Sequence, residues 1–433
     1  MRICVQGIWH LGAVTAACLA SVGHEVVGLD FDQATIDALS RGVPPLQEPG
    51  LPALLEAGLA AGKLRFTTNI EAAVRSIDVL WVSYDTPVDD DDNADVAFVL
   101  ARIEQVLPSL APGVLVLVSS QMPVGTIRHL EEVARARFPA ARLSFAYSPE
   151  NLRLGKAIEV FLHPDRIIVG VRSEADRATL DRLLRPITEH IEWMSVESAE
   201  MTKHAINAFL ATSVTFANEI ASICELVGAD AKEVERGLKT EARIGPKAYL
   251  SPGGAFAGGT LARDIAFLNI AGAAKSLSTP LLSSVKASND EHKKWARRKL
   301  EAFFPKLAGV TIAVWGLTYK PGTDTLRRSA GVELCDWCLQ RGMAVHVHDP
   351  VVKDLPDRWT GHVRRFDDPL AAVRGVQALM IGTEWPMYRD ISFDGPQGDF
   401  AGLVVLDANR FLPRWAAVSG VRYVAVGTPD QPR

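Results

Sequence analysis

The chain is 433 residues long, and 48% of its residues are apolar. This is more than one hydrophobic core usually holds, so the length favours two domains. The net charge of −5 and the scattered basic residues argue against a nucleic-acid partner. The sequence has no uninterrupted run of about 18 apolar residues, so we expect a cytoplasmic protein with no membrane partner.

Three local features are expected to be structural rather than functional. The basic segment HKKWARRK, from His292 to Lys299, has helical spacing and is predicted to form a solvated helix face. The acidic run at 89–92 is predicted to be a solvated loop. Cys335 and Cys338 form a CxxC pair inside the helical pattern GVELCDWCLQRG, without a second pair. We therefore expect buried, reduced thiols and no metal site.

The N-terminal segment predicts the first βαβ unit of a dinucleotide-binding fold. The strand RICVQ is followed by a glycine turn, a helical pattern and the strand HEVVGLD, which ends at Asp30. In such units glycines, here Gly7 and Gly12, allow close approach to a pyrophosphate, and the acidic residue binds ribose hydroxyls. Asp30 therefore favours NAD over NADP, because a 2′-phosphate would meet its negative charge.

Trp9 stands where the G-x-G-x-x-G pattern has its second glycine. An indole at the point of closest backbone approach is expected to displace the pyrophosphate or to push the turn outward. NAD would then bind weakly or in a shifted position. An alternative that the residues leave open is a Rossmann fold that has lost its cofactor.

Two continuous apolar runs predict further parallel strands that are buried on both faces. Thr86 follows the run IDVLWVSY, and Gln121 follows the run GVLVLVSS. Both residues stand at the carboxyl edge of the predicted sheet, where open α/β sheets bind ligands. We therefore place Thr86 and Gln121 in the cofactor site.

A long helical pattern, SAEMTKHAINAFLATSVTFANEIASICELVG, occupies the middle of the chain. Lys203 and Asn207 are four residues apart in it, so they lie on one face of the helix. A lysine and an asparagine directed together suit a site that stabilises an oxyanion. The alternative is an ordinary surface pair.

The stretch SPGGAFAGGTLARD, from Ser251 to Asp264, contains four glycines and leads into another helical pattern. A loop with so few side chains lets its backbone come close to a ligand, and the helix start offers free N–H groups. The alternative is a tight turn without a ligand.

Beyond Pro305, repeats of strand, loop and helix predict a second parallel-sheet domain. The predicted fold is therefore α/β, with two Rossmann-like, doubly wound parallel-sheet domains joined by a helical region that contains one long helix. The expected domains are residues 1–195, which bind NAD, residues 196–300, which connect the other two, and residues 301–433.

Several blocks resemble, in order, those of the UDP-glucose/GDP-mannose dehydrogenase family. SPGGAFAGGTLARD resembles its loop GFGGSCFPKD, GLTYKPGTDTLRRS its GLAFKPNTDDLRES, and SPENLRLGKAIEVFLHPDR its PEFLREG and PDR segments. EMTKHAINAFLA resembles its helix with lysine and asparagine. That family oxidises the C6 hydroxymethyl group of a nucleotide hexose to a carboxylate with two NAD, through a cysteine thiohemiacetal and thioester. The resemblance implies NAD, a UDP-sugar substrate that residues 301–433 bind, and a homodimer formed through the central helix in residues 196–300, which also contain the active-site loop.

The resemblance assigns roles to individual residues. The positions that match its catalytic residues are Glu150, Lys203, Asn207, Asp264 and, at the cysteine position, Thr260. The expected substrate-binding residues are Leu152, Arg243, Gly245, Phe256, Gly258 and Lys320. The expected cofactor-binding residues are Gly7, Trp9, Gly12, Asp30, Thr86, Gln121 and Arg327.

The sequence departs from the family pattern at the chemistry. Thr260 replaces the nucleophilic cysteine, Arg263 the lysine after it, Leu154 a second glutamate and Gln121 a threonine. A threonine hydroxyl is a far weaker nucleophile than a thiol near neutral pH, so we expect the reaction to stop after one hydride transfer. Two alternatives remain: a two-electron UDP-sugar oxidase or epimerase that gives an aldehyde or ketone, and a non-catalytic nucleotide-sugar binding protein.

Overall fold

The computed structural model of the protein describes residues 1–89, 94–150, 152–391 and 400–429. Positions 90–92 of the acidic run therefore lie outside the described residues. The chain divides into two compact units. The first unit comprises residues 1–206 and 266–277, and the second comprises residues 207–265 and 278–433.

The first unit is built on one large sheet with helices between its strands. The strands are β1 (Arg2–Gln6), β2 (Glu25–Leu29), β3 (Leu64–Thr67), β4 (Val79–Val82), β5 (Leu115–Val118), β6 (Ser144–Tyr147), β7 (Ile167–Gly170) and β8 (Ile191–Met194). The helices are α1 (His10–Ser21), α2 (Gln33–Leu39), α3 (Leu51–Ala60), α4 (Ile70–Val74), α5 (Val96–Val106), α6 (Thr126–Arg137), α7 (Ala157–Leu162) and α8 (Glu174–Leu184). The strand order is β3-β2-β1-β4-β5-β6-β7-β8.

The direction of the strands in this sheet differs in one place from the sequence prediction. β1 to β6 run parallel, but β6 and β7 meet antiparallel at Tyr147 and Gly170, and β8 is parallel to β7. An apolar run predicts that a strand is buried but does not predict its direction, because the direction depends on the segment that connects the two strands. The reversal lies at the end of the sheet away from β1 and the predicted dinucleotide site.

Helix α9 (Val196–Val227) has 32 residues and begins in the first unit and ends in the second. Its length and composition would be enough to cross a membrane, and 44% of its most apolar window is buried within the protein. The core helix of a globular domain can have the same length and composition, so these two properties do not by themselves indicate a membrane span.

The second unit holds the remaining elements. Its helices are α10 (Ala231–Thr240), the start of α11 (Thr260–Ala273), α12 (Pro280–His292), α13 (Trp295–Phe303), α14 (Ala330–Gln340) and α15 (Pro369–Val373). Its strands are β9 (Thr311–Trp315), β10 (Ala344–His348), β11 (Val363–Arg365), β12 (Ala378–Ile381), β13 (Val404–Leu406) and β14 (Arg422–Val424). All pair in parallel in the order β11-β10-β9-β12-β13-β14, which repeats the order of the first six strands of the other unit.

The basic segment from His292 to Lys299 is not a simple solvated face, so that expectation is wrong in part. His292, Trp295 and Lys299 are buried. The Nζ of Lys299 lies 3.0 Å from a carboxylate oxygen of Glu225, and the indole N–H of Trp295 donates to the other oxygen (2.9 Å). Because positions 295 and 299 lie one helical turn apart, both face the same buried carboxylate.

All five cysteines are buried, as expected. Burial raises the pKa of the Cys338 thiol to about 12, and it raises that of Cys335 as well. A thiol with such a pKa is protonated at neutral pH and is a poor nucleophile and metal ligand. The CxxC pair therefore belongs to the core of the second unit, to which α14 contributes both residues.

Candidate active site

The turn after β1 has the backbone geometry of a dinucleotide site. Gly7 has φ +89°, and its N–H donates to the carbonyl of Leu29 (2.9 Å). A Cβ at Gly12 would lie 1.8 Å from the carbonyl oxygen of Gly7, so only glycine allows α1 to pack this closely on the turn. Asp30 follows β2, and its carboxylate accepts the N–H of Ile8 (2.8 Å) and of Phe31 (2.7 Å). The two glycines and the acidic residue thus fit NAD.

Trp9 occupies the N-cap position of α1 with φ −81° and ψ −156°. This is a conformation open to any L-residue, so the turn needs no glycine at position 9. The side chain is 48% exposed and therefore does not fill the turn. His10, the next residue, is buried, and its Nε2 lies 2.8 Å from a carboxylate oxygen of Glu48.

The same turn recurs in the second unit, which the sequence analysis did not identify residue by residue. Gly316 follows β9 with φ +89°, and its N–H donates to the main-chain carbonyl of His348 (2.8 Å). A Cβ at Gly331, in α14, would lie 2.6 Å from the carbonyl oxygen of Gly316. Asp349 follows β10 and accepts the N–H of Leu317 (2.7 Å). Each unit therefore has a glycine turn closed by an aspartate after its second strand.

The edge residues predicted after β4 and β5 lie together. The hydroxyl of Thr86 donates to the main-chain carbonyl of Gln121 (2.7 Å). Thr86 is buried and Gln121 is half-buried. These two members of the expected cofactor site thus belong to one edge of the sheet, the carboxyl edge to which Gly7 also belongs.

Lys203 is buried on α9, and its ammonium group donates to the main-chain carbonyl of Glu150 (2.6 Å). The carboxylate of Glu150 accepts the N–H of Leu152. Leu152 in turn packs against the core of the first unit. The predicted catalytic lysine and glutamate are therefore neighbours, but the lysine contacts the peptide group of Glu150 through this bond.

Two buried residues beside Lys203 were missed by the sequence analysis. Glu200 accepts the N–H of Gly125 (2.8 Å) and of Ile127 (3.0 Å) at the start of α6. Burial raises the pKa of Glu200, although these two bonds oppose the shift. The Nε2 of His204 lies 3.0 Å from the carbonyl oxygen of Met122 and donates to it, so this nitrogen carries the proton. Both residues fix this part of α9 against the segment after β5.

Asn207 and Asp264 meet in the second unit, one from α9 and one from α11. The side-chain amide of Asn207 donates to the carboxylate of Asp264, and both residues are buried. One of the two oxygens of Asp264 is thus held in place by an uncharged donor. The i,i+4 relation of Lys203 and Asn207 is retained, since both lie on the regular helix α9.

The glycine-rich loop, Ser251–Gly259, leads directly into α11. Gly258 and Gly259 have φ values of +112° and +66°, so side chains would be strained at both. Thr260 is the first residue of α11 and is exposed, whereas Arg263 in the first turn is buried. A Cβ at Gly259 would lie 3.1 Å from Nη1 of Arg328. The glycine therefore leaves room for a guanidinium group beside Thr260.

The remaining predicted substrate residues, and Arg327, which was predicted to bind the cofactor, lie in three segments of the second unit. Gly245 has φ +85°, and Arg243 is exposed with its guanidinium on Glu241 (2.9 Å). Lys320 is half-buried, and its carbonyl accepts the hydroxyl of Thr323 (2.9 Å). Arg327 is exposed and immediately precedes Arg328. Phe256 is half-buried in the loop.

Family models match most of the chain. The models describe the UDP-glucose/GDP-mannose dehydrogenase family: its NAD binding domain matches residues 1–188, its central domain residues 197–291 and its UDP binding domain residues 313–414. The chain belongs to this family. It is an NAD-dependent oxidoreductase that acts on CH–OH groups, and its third domain indicates a UDP-sugar substrate.

Individual relatives agree with this result along the whole chain. A UDP-glucose 6-dehydrogenase of Pseudomonas aeruginosa is 34% identical over 99% of this chain and 98% of its own length. One of Rhizobium meliloti is 34% identical over 99% of this chain and 100% of its own length. A solved UDP-glucose dehydrogenase from Pyrobaculum islandicum is 31% identical and superimposes with a TM-score of 0.85, over 99% of this chain and 98% of that one. The predicted α/β fold with two Rossmann-like domains is thereby confirmed.

Proposed function

We propose that this protein oxidises a hydroxyl group of a UDP-hexose with NAD and that it stops after one hydride transfer. The observation that carries the proposal is the composition of the start of α11. There Asp264 is fixed by Asn207, but the residue at the nucleophile position is the exposed Thr260. The general chemistry of a nucleotide-sugar dehydrogenase is supported by the relatives, and the restriction to two electrons follows from the missing thiol.

The proposed oxidation breaks one C–H bond and one O–H bond. Gly7, Gly12 and Asp30 would hold NAD, which would supply the acceptor for the hydride that leaves the carbinol carbon. Asp264, acting through a water, accepts the hydroxyl proton, which the ammonium group of Lys203 cannot take up, and the product is an aldehyde or ketone. Lys203 and Asn207 stabilise the developing negative charge on the oxygen, because both offer N–H donors and both are buried.

A second oxidation would require the aldehyde to be captured or hydrated. A thioester cannot form on Thr260, which offers a hydroxyl in place of a thiol. Glu150 is the residue that we assign to activating water, and this route is expected to be slow. The wild type should therefore release mainly an aldehyde or its hydrate if C6 is the carbon that reacts.

The test of this proposal is the NADH yield per sugar consumed, together with mass spectrometry of the product and of the enzyme. Wild type with UDP-glucose should give one NADH per sugar and no covalent adduct. Thr260→Cys should give two NADH per sugar and a carboxylate. Two NADH from the wild type would show that water suffices. A product with C6 still an alcohol would place the oxidation elsewhere on the ring.

We also propose that two copies of the chain associate through α9 in the cytoplasm. Phe209, Phe216 and Ile223 are exposed at intervals of seven residues on this helix, and Leu226 is 82% exposed. A stripe with this spacing forms a continuous apolar seam, and such seams are usually covered by another helix.

A further inference from the structure

Side chains from other parts of the second unit, most of them buried, hold the glycine-rich loop in place. Asn289 of α12 makes the most complete of these contacts. The N–H of Phe256 donates to Oδ1 of Asn289 (3.0 Å), and Nδ2 of Asn289 donates to the carbonyl of Phe256 (2.7 Å). Asn289 is only 2% exposed. One side-chain amide thus satisfies both backbone polar groups of one loop residue.

His292 lies one turn further along α12 and holds Gly253. Its Nε2 lies 2.8 Å from the carbonyl oxygen of Gly253, so this nitrogen carries the proton. On the other side of the same residue, the N–H of Gly253 donates to Oδ1 of Asn218 (3.0 Å). His292 and Asn218 are both buried. Burial lowers the pKa of His292, and the neutral ring keeps its role as a donor.

Two further contacts complete the set. The N–H of Gly254 donates to Oδ1 of Asn409 (2.7 Å). The hydroxyl of Ser251 donates to the carboxylate of Glu235 (2.5 Å), which also binds Lys232 and Lys239. A Cβ at Gly253 would lie 2.1 Å from Oδ1 of Asn409, so a side chain there would displace Asn409 from its bond to Gly254.

The glycine-rich loop needs these contacts to keep a single conformation. A segment rich in glycine loses more conformational entropy on ordering than any other, so it stays in one geometry only if specific bonds hold it. A buried amide or imidazole is itself costly unless its partners are present. Asn289 and His292 are therefore suited to fixing this backbone, since each would be unsatisfied without the loop.

We propose that Asn289 and His292 are positioning residues of the active site. They act through the loop, and they set the direction in which Gly258 and Gly259 lead into Thr260 and the start of α11. The inference rests on the proposed function in one respect, because that function places the reaction beside Thr260.

The experiment compares paired variants in steady-state kinetics with UDP-glucose and NAD. Asn289→Ala and His292→Leu should each lower kcat/KM for UDP-glucose by tenfold or more, while the NAD affinity measured by calorimetry stays within twofold. His292→Gln should restore most of the activity, because its amide nitrogen can donate to the carbonyl of Gly253 in place of Nε2. If Leu and Gln at position 292 behaved alike, the hydrogen bond would have no role and the proposal would be overturned.

Two controls separate positioning from general stability. Cys338→Ala removes a buried group from the core of the same unit without touching the loop, so it should lower the unfolding midpoint and leave kcat/KM unchanged. Ser284→Ala changes an exposed residue of α12 and should change neither. If Cys338→Ala lowered kcat/KM as much as Asn289→Ala did, the effect would be loss of stability and the proposal would be wrong.

Amide hydrogen exchange gives a readout that does not depend on turnover. The amides of Gly253 and Phe256 should be protected in the wild type, and Asn289→Ala should lose protection at Phe256 by tenfold or more while α13 is unaffected. If the wild type failed to oxidise any nucleotide sugar but showed this exchange pattern, the proposed function would fail and the positioning of the loop would stand. Unprotected amides in the wild type would overturn the positioning itself.

Discussion

At the scale of single residues, Lys203 has the environment that a catalytic ammonium group requires. It is buried, its direction is fixed by the carbonyl of Glu150, and its neighbours Glu200 and His204 anchor the helix on which it stands. A donor held this way needs little reorganisation when negative charge develops on a substrate oxygen. This preorganisation is the main source of electrostatic catalysis.

We therefore expect Lys203→Met, which keeps most of the stem volume, to lower kcat by roughly 100-fold or more with a small change in substrate affinity. Stopped-flow measurement of NADH formation and calorimetry with UDP-glucose would separate the two quantities. Met201→Ala, an exposed change on the same helix, is the matched control. Activity of Lys203→Met within a few-fold of the wild type would remove the lysine from the mechanism.

A second test concerns the effect of the Trp9 side chain on NAD binding. The exposed indole is a bulky group beside the turn formed by Gly7 and Gly12, and its removal should let the backbone approach a pyrophosphate more closely. We expect both Trp9→Gly and Trp9→Ala to bind NAD several-fold more tightly in calorimetry. Because φ at this position suits any residue, alanine should gain as much as glycine. Unchanged affinity in both variants would mean that the turn already accommodates the indole.

At the scale of elements, local patterns were enough to predict the strands and helices that carry the site. Gly7, Gly12 and Asp30 could be placed because their spacing along one βαβ unit reflects a local geometry. The contacts that hold the glycine-rich loop could not be predicted, since their partners are 16 to 155 residues away in sequence. One signal was available: Val285, Asn289 and His292 follow a helical spacing, so a polar pair shared the buried face of α12.

The apolar seam on α9 can be tested by placing a charge in it. Phe216 lies at the middle of the exposed stripe, so Phe216→Lys would place a charge where a second copy is expected to pack. We expect sedimentation velocity to show a dimer for the wild type and a monomer for this variant. Arg236→Ala, on the exposed side of α10, should remain dimeric. A wild type that sediments as a monomer would contradict the proposed assembly.

At the scale of the whole molecule, both units repeat one strand order and one glycine turn, yet their polar residues differ in what they bind. The turn of the first unit fits a dinucleotide, and the corresponding turn of the second is closed by Asp349, which also accepts the indole N–H of Trp385 (3.1 Å). The repeat was visible in the sequence as two α/β patterns. The antiparallel step between β6 and β7 was not, because strand direction depends on the connection and leaves no mark on the apolar pattern.

The dependence of stability on pH also belongs to the whole molecule, since both units contain buried histidines. Burial is the main cause that lowers the pKa of His24 in the first unit and of His292 and His348 in the second. A histidine with a lowered pKa in the folded state stabilises the fold above its unfolded pKa of about 6.5, and this stability is lost as the pH falls below that value. Burial raises the pKa of Glu200, so protonation of this carboxyl group favours the folded state as the pH falls.

Carboxylates affect the stability of the fold in a separate and more acidic pH range. Hydrogen bonds from Arg172 are the main reason that the pKa of Glu197 falls to about 2. Burial alone would raise the pKa of Glu235, but its bonds from Lys239, Ser251 and Lys232 prevail and bring it to about 2. The stability that these two groups contribute is complete above about pH 4.5 and is lost as the pH falls toward 2.

We therefore expect the free energy of unfolding, measured with urea, to be flat between about pH 7 and about pH 8 and to fall between pH 6.5 and 5. Each histidine contributes a slope of at most about 1.4 kcal/mol per pH unit. His24→Gln and His348→Asn keep a neutral amide in place of the imidazole nitrogens that contact Leu183 and Tyr388, so each should reduce the slope without removing its hydrogen bond. A decline that began only below pH 4.5, unchanged in both variants, would show that carboxylates alone govern the acid limit and that the buried histidines cost nothing to protonate.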